Sequence, residues 1–100
     1  MIQLTDKEQK AITQLTDVIR WYAPSDAYKL YLFGSRARWQ ARTSSDYDIA
    51  IDGDTSLPWH DRMMILSAWE WLPYRADLID LHEVDDRFRT DIQEYAMPLR

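Results

Sequence analysis

A short, almost continuous run of aromatic and aliphatic residues, Tyr28 to Phe33, ends at Gly34 and limits the folds open to this chain. A run of this length and composition is typical of a β-strand that is buried on both faces. A buried strand belongs to a sheet that is covered by other elements. The run therefore predicts a layered domain rather than a helical bundle.

Helices and two further strands are predicted around that run. A Thr-x-x-Glu capping box at Thr5 and Glu8 precedes apolar residues at helical spacing up to Pro24. Apolar and polar residues alternate over residues 47–51, which predicts a second strand. The remaining predicted elements are a short helix or turn at 36–42, a helix from Pro58 to near Pro73, a third strand at 76–81 and a final helix at 85–97.

The predicted order is α-β-(α)-β-α-β-α, with a small mixed β-sheet of the α/β or α+β class and helices packed on it. The chain has 100 residues, no internal repeat and no linker-like segment, so residues 1–100 are expected to form one domain. It has no cysteine, which excludes disulfides and thiolate metal sites.

The charge distribution excludes several classes of protein. A net charge of −5 argues against direct binding to nucleic acid, which depends on neutralising phosphates. The first ten residues carry four charged side chains and no apolar run is long enough to span a bilayer, so a cytoplasmic location is expected. Arginines at positions 36, 38 and 42 could still attract a small anionic ligand locally.

Gly34 and Ser35 lie between the first strand and the predicted helix or turn. Backbone N–H groups at the start of a helix bind phosphate, and glycine allows the phosphate to approach the main chain closely. The same pair is also common in an ordinary turn at the end of a strand. Taken alone, Gly34-Ser35 leaves both interpretations open.

Asp46 and Asp48 are two residues apart on the second predicted strand, so both carboxylates should project from one face. Two close negative charges repel each other unless a cation lies between them, and Mg²⁺ prefers oxygen ligands of this kind. The alternative is that both side chains face water on a half-exposed strand. The clean alternation permits this alternative, and the depletion of aspartate from strands weakens it without removing it.

The two features together form the pattern Gly-Ser-x10-Asp-x-Asp. With ordinary residue usage, this pattern arises by chance in a chain of this size on the order of once in a thousand. It resembles the signature of the DNA polymerase β-like nucleotidyltransferase superfamily. The wider segments 32–38 and 45–50 are most similar to the minimal nucleotidyltransferases (MNT) that act as antitoxins beside HEPN-domain toxins.

This resemblance implies a third carboxylate on the third strand and a site for two Mg²⁺ ions. The candidates are Asp77 and Asp80, which a regular strand points to opposite faces; the family pattern favours Asp77 and leaves Asp80 at the surface or behind the site. The implied metal-binding and catalytic residues are Asp46, Asp48 and Asp77. The implied binding residues for the phosphates of ATP are Gly34, Ser35 and Arg36, with Arg38 as a further candidate.

The leading interpretation is an antitoxin enzyme of the protein adenylyltransferase type. It would transfer AMP from ATP to a hydroxyl, by family resemblance a tyrosine, of a HEPN RNase toxin with which it forms a heteromeric complex. One alternative is a non-catalytic antitoxin that neutralises its toxin by stoichiometric binding. Another is adenylylation of a small molecule such as an aminoglycoside, although enzymes of that kind carry an additional helical domain.

Overall fold

The computed structural model describes residues 4–37 and 46–100. Its elements in chain order are α1 (Asp6–Tyr22), β1 (Tyr28–Phe33), β2 (Tyr47–Gly53), α2 (Trp59–Trp69), β3 (Ala76–Asp80), α3 (Asp86–Tyr95) and β4 (Met97–Leu99). Among these described helices, none has the length and apolar character needed to cross a bilayer. The prediction of a helix or turn at 36–42 falls mostly outside the described residues; residues 35–37 form a turn.

The four strands form one mixed sheet in the order β3-β2-β1-β4. β1 is antiparallel to both of its neighbours, β2 and β4, whereas β2 and β3 run parallel. The predicted class, a small mixed sheet with helices packed on it, is confirmed. The parallel pairing aligns Asp48 with Asp77, which brings two of the predicted site residues side by side.

The prediction was wrong at the end of the chain, where it placed a helix up to residue 97. α3 ends at Tyr95, Ala96 is extended, and Met97 begins the short strand β4. Pro98 explains the change, because proline disfavours the helical conformation in the residue before it. β4 pairs with β1 through Leu30↔Leu99 and Leu32↔Met97, so it supplies a fourth strand that the periodicity did not reveal.

The two faces of the sheet are covered by different helices. On one face, β1 and β2 contribute Leu30, Leu32, Ile49 and Ile51 to the larger hydrophobic core, which also includes buried residues of α1 and α2. On the other face, Phe33 and Ala50 pack with Leu81 and with Ile92 of α3. Side chains of successive strand residues alternate between these faces. The α3 side therefore receives Asp48, whose neighbour Ile49 points to the larger core.

The beginnings of the helices follow local rules that are visible in the sequence. The capping box at α1 is confirmed: Thr5 Oγ1 accepts the Glu8 N–H at 3.1 Å, and Glu8 Oε1 accepts the Thr5 N–H at 3.0 Å. Pro58 is the N-cap of α2 rather than its first helical residue. Asp85 caps α3 by accepting the Phe88 N–H at 2.8 Å. These caps fix where α1 and α3 begin.

Candidate active site

The predicted carboxylates lie along one corner of the sheet, on the side covered by α3. Asp48 is paired with Asp77 across the parallel β2–β3 ladder and with Phe33 across the antiparallel β1–β2 ladder. Asp46 is exposed and directly precedes β2, two residues before Asp48. The alternation of a strand sends Asp46 and Asp48 to the same face. The fold thus places Asp48 and Asp77 side by side on neighbouring strands, with Asp46 two residues before Asp48.

These carboxylates influence one another electrostatically. Burial raises the pKa of Asp48 above its ordinary value, the negative charge of Asp77 raises it further, and the charge of Asp46 adds to the effect. The positive charge of Arg36 acts in the opposite direction without reversing the shift. A carboxyl whose pKa is raised by like charges is one that a bound cation would stabilise in its ionised form.

The side chains of Asp46, Asp48 and Asp77 do not lie close enough together to form a complete metal site. Over residues 4–37 and 46–100, no three His, Cys, Asp or Glu side chains lie close enough to hold one metal ion. The donor set itself consists of carboxylate oxygens, the kind of ligand that Mg²⁺ takes. The two-metal site therefore stays a prediction, and the chemical type of the ligands agrees with it.

Gly34 brings the main chain against the Asp48 carboxylate. Its φ of +73° lies in the left-handed region, which glycine adopts without strain. A Cβ atom at this position would overlap Asp48 Oδ2 and would lie 3.0 Å from Asp48 Cγ. Only glycine therefore allows this turn and this carboxylate to approach so closely. That closeness is what a site needs if phosphate oxygens and a metal ion are to be held together.

The Gly34 N–H, which was predicted to bind phosphate, donates a hydrogen bond to the Tyr95 hydroxyl at 3.1 Å. Tyr95 is the last residue of α3 and packs against both hydrophobic clusters. In the sequence, Tyr95 is simply one of the apolar positions in the helix predicted at 85–97. Its spacing from Phe88 and Ile92 gave no signal that its hydroxyl would reach the Gly34 turn.

Ser35 and Arg36 follow Gly34 in the turn at 35–37, but they lie in different surroundings. Ser35 is partly exposed, as a phosphate contact requires. Arg36 is only 7% exposed, donates to Glu8 Oε2 at 3.0 Å and places its guanidinium carbon 3.9 Å from the centre of the Tyr47 ring. No observation tests whether Arg36 binds phosphate, so that role stays a prediction.

Asp77 and Asp80 are separated clearly by their contacts. Asp77 is exposed and lies beside Asp48, as the resemblance favoured. Asp80 is only 2% exposed and accepts the N–H groups of Leu57 at 2.7 Å and of His82 at 2.9 Å. The expectation that Asp80 lies at the surface or behind the site is therefore refined: it is buried and ties the end of β3 to the segment before α2.

A broad cleft of about 800 Å³ runs along α3, but it is unsuited to a triphosphate. The described residues that line it include none of the predicted site residues, and four of the seven are acidic. They are Asp85, Asp86, Arg87, Phe88, Thr90, Asp91 and Glu94. Four carboxylates against one guanidinium would repel an anionic ligand. The corner formed by Gly34, Asp48 and Asp77 fits nucleotide chemistry better.

Known proteins resemble this chain in sequence and in fold. The family model described as "Polymerase beta, Nucleotidyltransferase" matches residues 14–97, a range that contains every predicted site residue. Over 69 residues the chain is 33% identical to "Probable protein adenylyltransferase MntA" of Haemophilus influenzae, with 67% of this chain and 60% of that protein covered. This chain therefore spans less than two thirds of the length of that relative.

Two solved structures share the fold at low sequence identity. A crystal structure of a toxin–antitoxin with AMP-PNP superposes with a TM-score of 0.71 and 22% identity, over 88% of this chain and 71% of that chain. A protein proposed to be a minimal nucleotidyltransferase superposes with a TM-score of 0.67 and 22% identity, over 91% of this chain and 94% of that chain. At this level of identity the likeness extends to the fold alone.

Proposed function

The chain belongs to the polymerase beta nucleotidyltransferase family, and on this premise we propose that it transfers AMP from ATP to a hydroxyl of a partner protein. The observation that carries the proposal is the closeness of the Gly34 turn to Asp48, which is itself paired with Asp77. Such a corner combines main-chain N–H groups for phosphate with carboxylates for magnesium.

The three carboxylates have distinct tasks in this proposal. Asp46 and Asp48 would hold Mg²⁺, and Asp77 would be a further ligand. Bound there, Mg²⁺ would supply positive charge that offsets the negative charge of the phosphates. Asp77 also takes the proton of the attacking hydroxyl, since it is exposed and can reach a group that arrives from solvent.

The phosphates of ATP lie on the Gly34–Ser35 turn. The hydroxyl oxygen of the acceptor forms a bond to the α-phosphorus while the bond to pyrophosphate breaks. Binding of a phosphate to the Gly34 N–H replaces the hydrogen bond that this group donates to Tyr95. Ser35 adds its hydroxyl and its main-chain N–H.

The proposed acceptor is a tyrosine of a HEPN-domain toxin, and the two proteins form a complex. The similar protein of Haemophilus influenzae is named as a protein adenylyltransferase, and one similar fold belongs to a toxin–antitoxin. A transferred AMP adds a bulky negative group to the toxin, which disturbs a surface that must bind RNA. The antitoxin would then act catalytically rather than by mass action.

Intact-mass analysis tests this proposal. The purified chain is incubated with Mg²⁺, one nucleoside triphosphate at a time, and the HEPN-domain protein encoded beside it. The expected result is a mass gain of one or more AMP units on the partner with ATP, lost in the Asp48→Asn variant. Asp54→Asn is the matched control, because Asp54 is an exposed carboxylate outside the site.

A binding antitoxin is the second candidate, and exposed tryptophans favour it. Trp21, Trp59 and Trp71 are 83%, 74% and 90% exposed, and tryptophan is enriched in protein interfaces. An unchanged partner mass, together with co-elution and loss of toxin activity, would establish this second function. The same result with the Asp48→Asn variant would exclude a catalytic contribution.

A further inference from the structure

Two contacts of Arg36 join the turn after β1 to α1 and to β2. Its Nη1 donates to Glu8 Oε2 at 3.0 Å, and its guanidinium lies on the ring of Tyr47. Glu8 is itself fixed, because its other oxygen accepts the N–H of Thr5 in the capping box. The start of α1, the turn after β1 and the start of β2 thus meet at one guanidinium.

The alternation of β2 points Tyr47, on which this guanidinium is stacked, to the side of the sheet opposite to Asp48. Tyr47 belongs to the larger core, which packs on α1 and α2, whereas Asp48 points to the α3 side. A guanidinium that is stacked on Tyr47 and only 7% exposed therefore lies on the side of the larger core, from which its charge still acts on the pKa of Asp48. A phosphate on the other face of the sheet would have to draw Arg36 out of both contacts.

We propose that Arg36 is a positioning residue, which clamps the Gly34–Ser35 turn against β2 through Glu8 and Tyr47 and so fixes the distance from the phosphate site to Asp48. The inference rests on the proposed function, since it concerns the alignment of that same site. Arginine suits the task because its planar group can stack on an aromatic ring while its N–H fork holds a carboxylate. Lysine offers neither the plane nor the fork.

The two possible roles of Arg36 predict opposite effects of a change at Glu8. A direct phosphate ligand would become more available if Glu8 lost its charge, so the affinity for nucleotide would rise. A positioning residue would instead lose its anchor, so the turn would shift and transfer would slow. Glu8→Gln removes the ion pair with little change in shape. The amide keeps an oxygen for the Thr5 N–H, whereas its NH₂ group, which cannot accept a hydrogen bond, faces Arg36.

The test compares Glu8→Gln, Arg36→Lys and the double variant in AMP transfer. We expect each single variant to lower kcat about tenfold with a KM for ATP within about threefold of the original, since a misplaced turn affects the reacting geometry more than the binding. The double variant should lose little more than either single variant, because both break one clamp. A lower KM in Glu8→Gln with a higher KM in Arg36→Lys would overturn the inference in favour of direct phosphate contact.

Thr5→Ala is the matched control, because it weakens the same helix cap and leaves Glu8 and Arg36 in place. A readout that needs no transfer activity accompanies the kinetics: the amide NMR signals of Gly34 and Ser35, recorded without nucleotide and with Mg²⁺ and AMP-PNP. The signals should move in Glu8→Gln and stay in place in Thr5→Ala. Unmoved signals in Glu8→Gln would contradict the clamp even if the chain proved to transfer no AMP.

Discussion

Replacing Gly34 by alanine should disable the site while leaving the fold intact. The φ of +73° at this position costs an alanine about 1–2 kcal/mol, because L-residues with a Cβ are strained in the left-handed region. The new Cβ would also overlap Asp48 Oδ2 and lie 3.0 Å from Cγ, so the carboxylate must move away. A displacement of about 1 Å at a catalytic group lowers the rate by roughly a hundredfold.

AMP transfer and thermal unfolding of Gly34→Ala are measured together. The melting temperature should fall by roughly 5–15 °C, which follows from the strain and the unfolding entropy of a domain of this size. Ile65→Val is the control, because it removes one methyl group from a fully buried residue of α2 at a comparable cost of about 1 kcal/mol. The control should keep full activity. A Gly34→Ala variant that keeps its rate within about threefold would refute the link between this close approach and catalysis.

Four further variants test the account at three separate points. Without metal and nucleotide, Asp48→Asn should raise the melting temperature at neutral pH and leave it unchanged well below pH 4. The raised pKa of Asp48 means that its ionised form destabilises the folded state, and the carboxyl is ionised only above that range. Equal melting curves at pH 7 would contradict this. Asp80→Ala should lower the free energy of unfolding by about 2–3 kcal/mol, because Asp80 is buried and accepts two N–H groups. Asp77→Ala should abolish AMP transfer with little change in stability, and the reverse pattern would show that the two roles are exchanged. Tyr95→Phe should tighten the binding of AMP-PNP measured by calorimetry, because the Gly34 N–H no longer donates to a hydroxyl, and weaker binding would instead make Tyr95 a nucleotide contact.

Local signals in the sequence predicted most of the fold. The capping box at Thr5 and the run that ends at Gly34 each depend on neighbouring residues, so the start of α1 and the bounds of β1 were confirmed. β4 was missed because a strand of three residues has no periodicity of its own. Its existence depends on pairing with β1, a contact between residues more than sixty positions apart.

The motif predicted the residues of the candidate site, whereas the tertiary contacts around them had no signal in the sequence. The spacing of Asp46 and Asp48 predicted that both project from one face; in the structure Asp46 directly precedes β2, and the parallel pairing of β2 with β3 brings Asp77 beside Asp48. Neither the hydrogen bond from Gly34 to Tyr95 nor the ion pair of Arg36 with Glu8 had a signature in sequence. Both join residues that lie far apart along the chain. Each gives a group that the motif assigns to phosphate, the Gly34 N–H or the Arg36 guanidinium, a partner within the protein.

The location of the bound nucleotide and metal can be measured directly by paramagnetic broadening of amide NMR signals. Mn²⁺ replaces Mg²⁺ as a hard cation with oxygen ligands and is added together with AMP-PNP. The account predicts that the signals of Gly34, Ser35, Asp48 and Asp77 broaden first, and that this broadening is lost in Asp48→Asn. Broadening centred instead on Asp91 and the acidic cleft along α3, with the Gly34 signal unaffected, would contradict the assignment of the site.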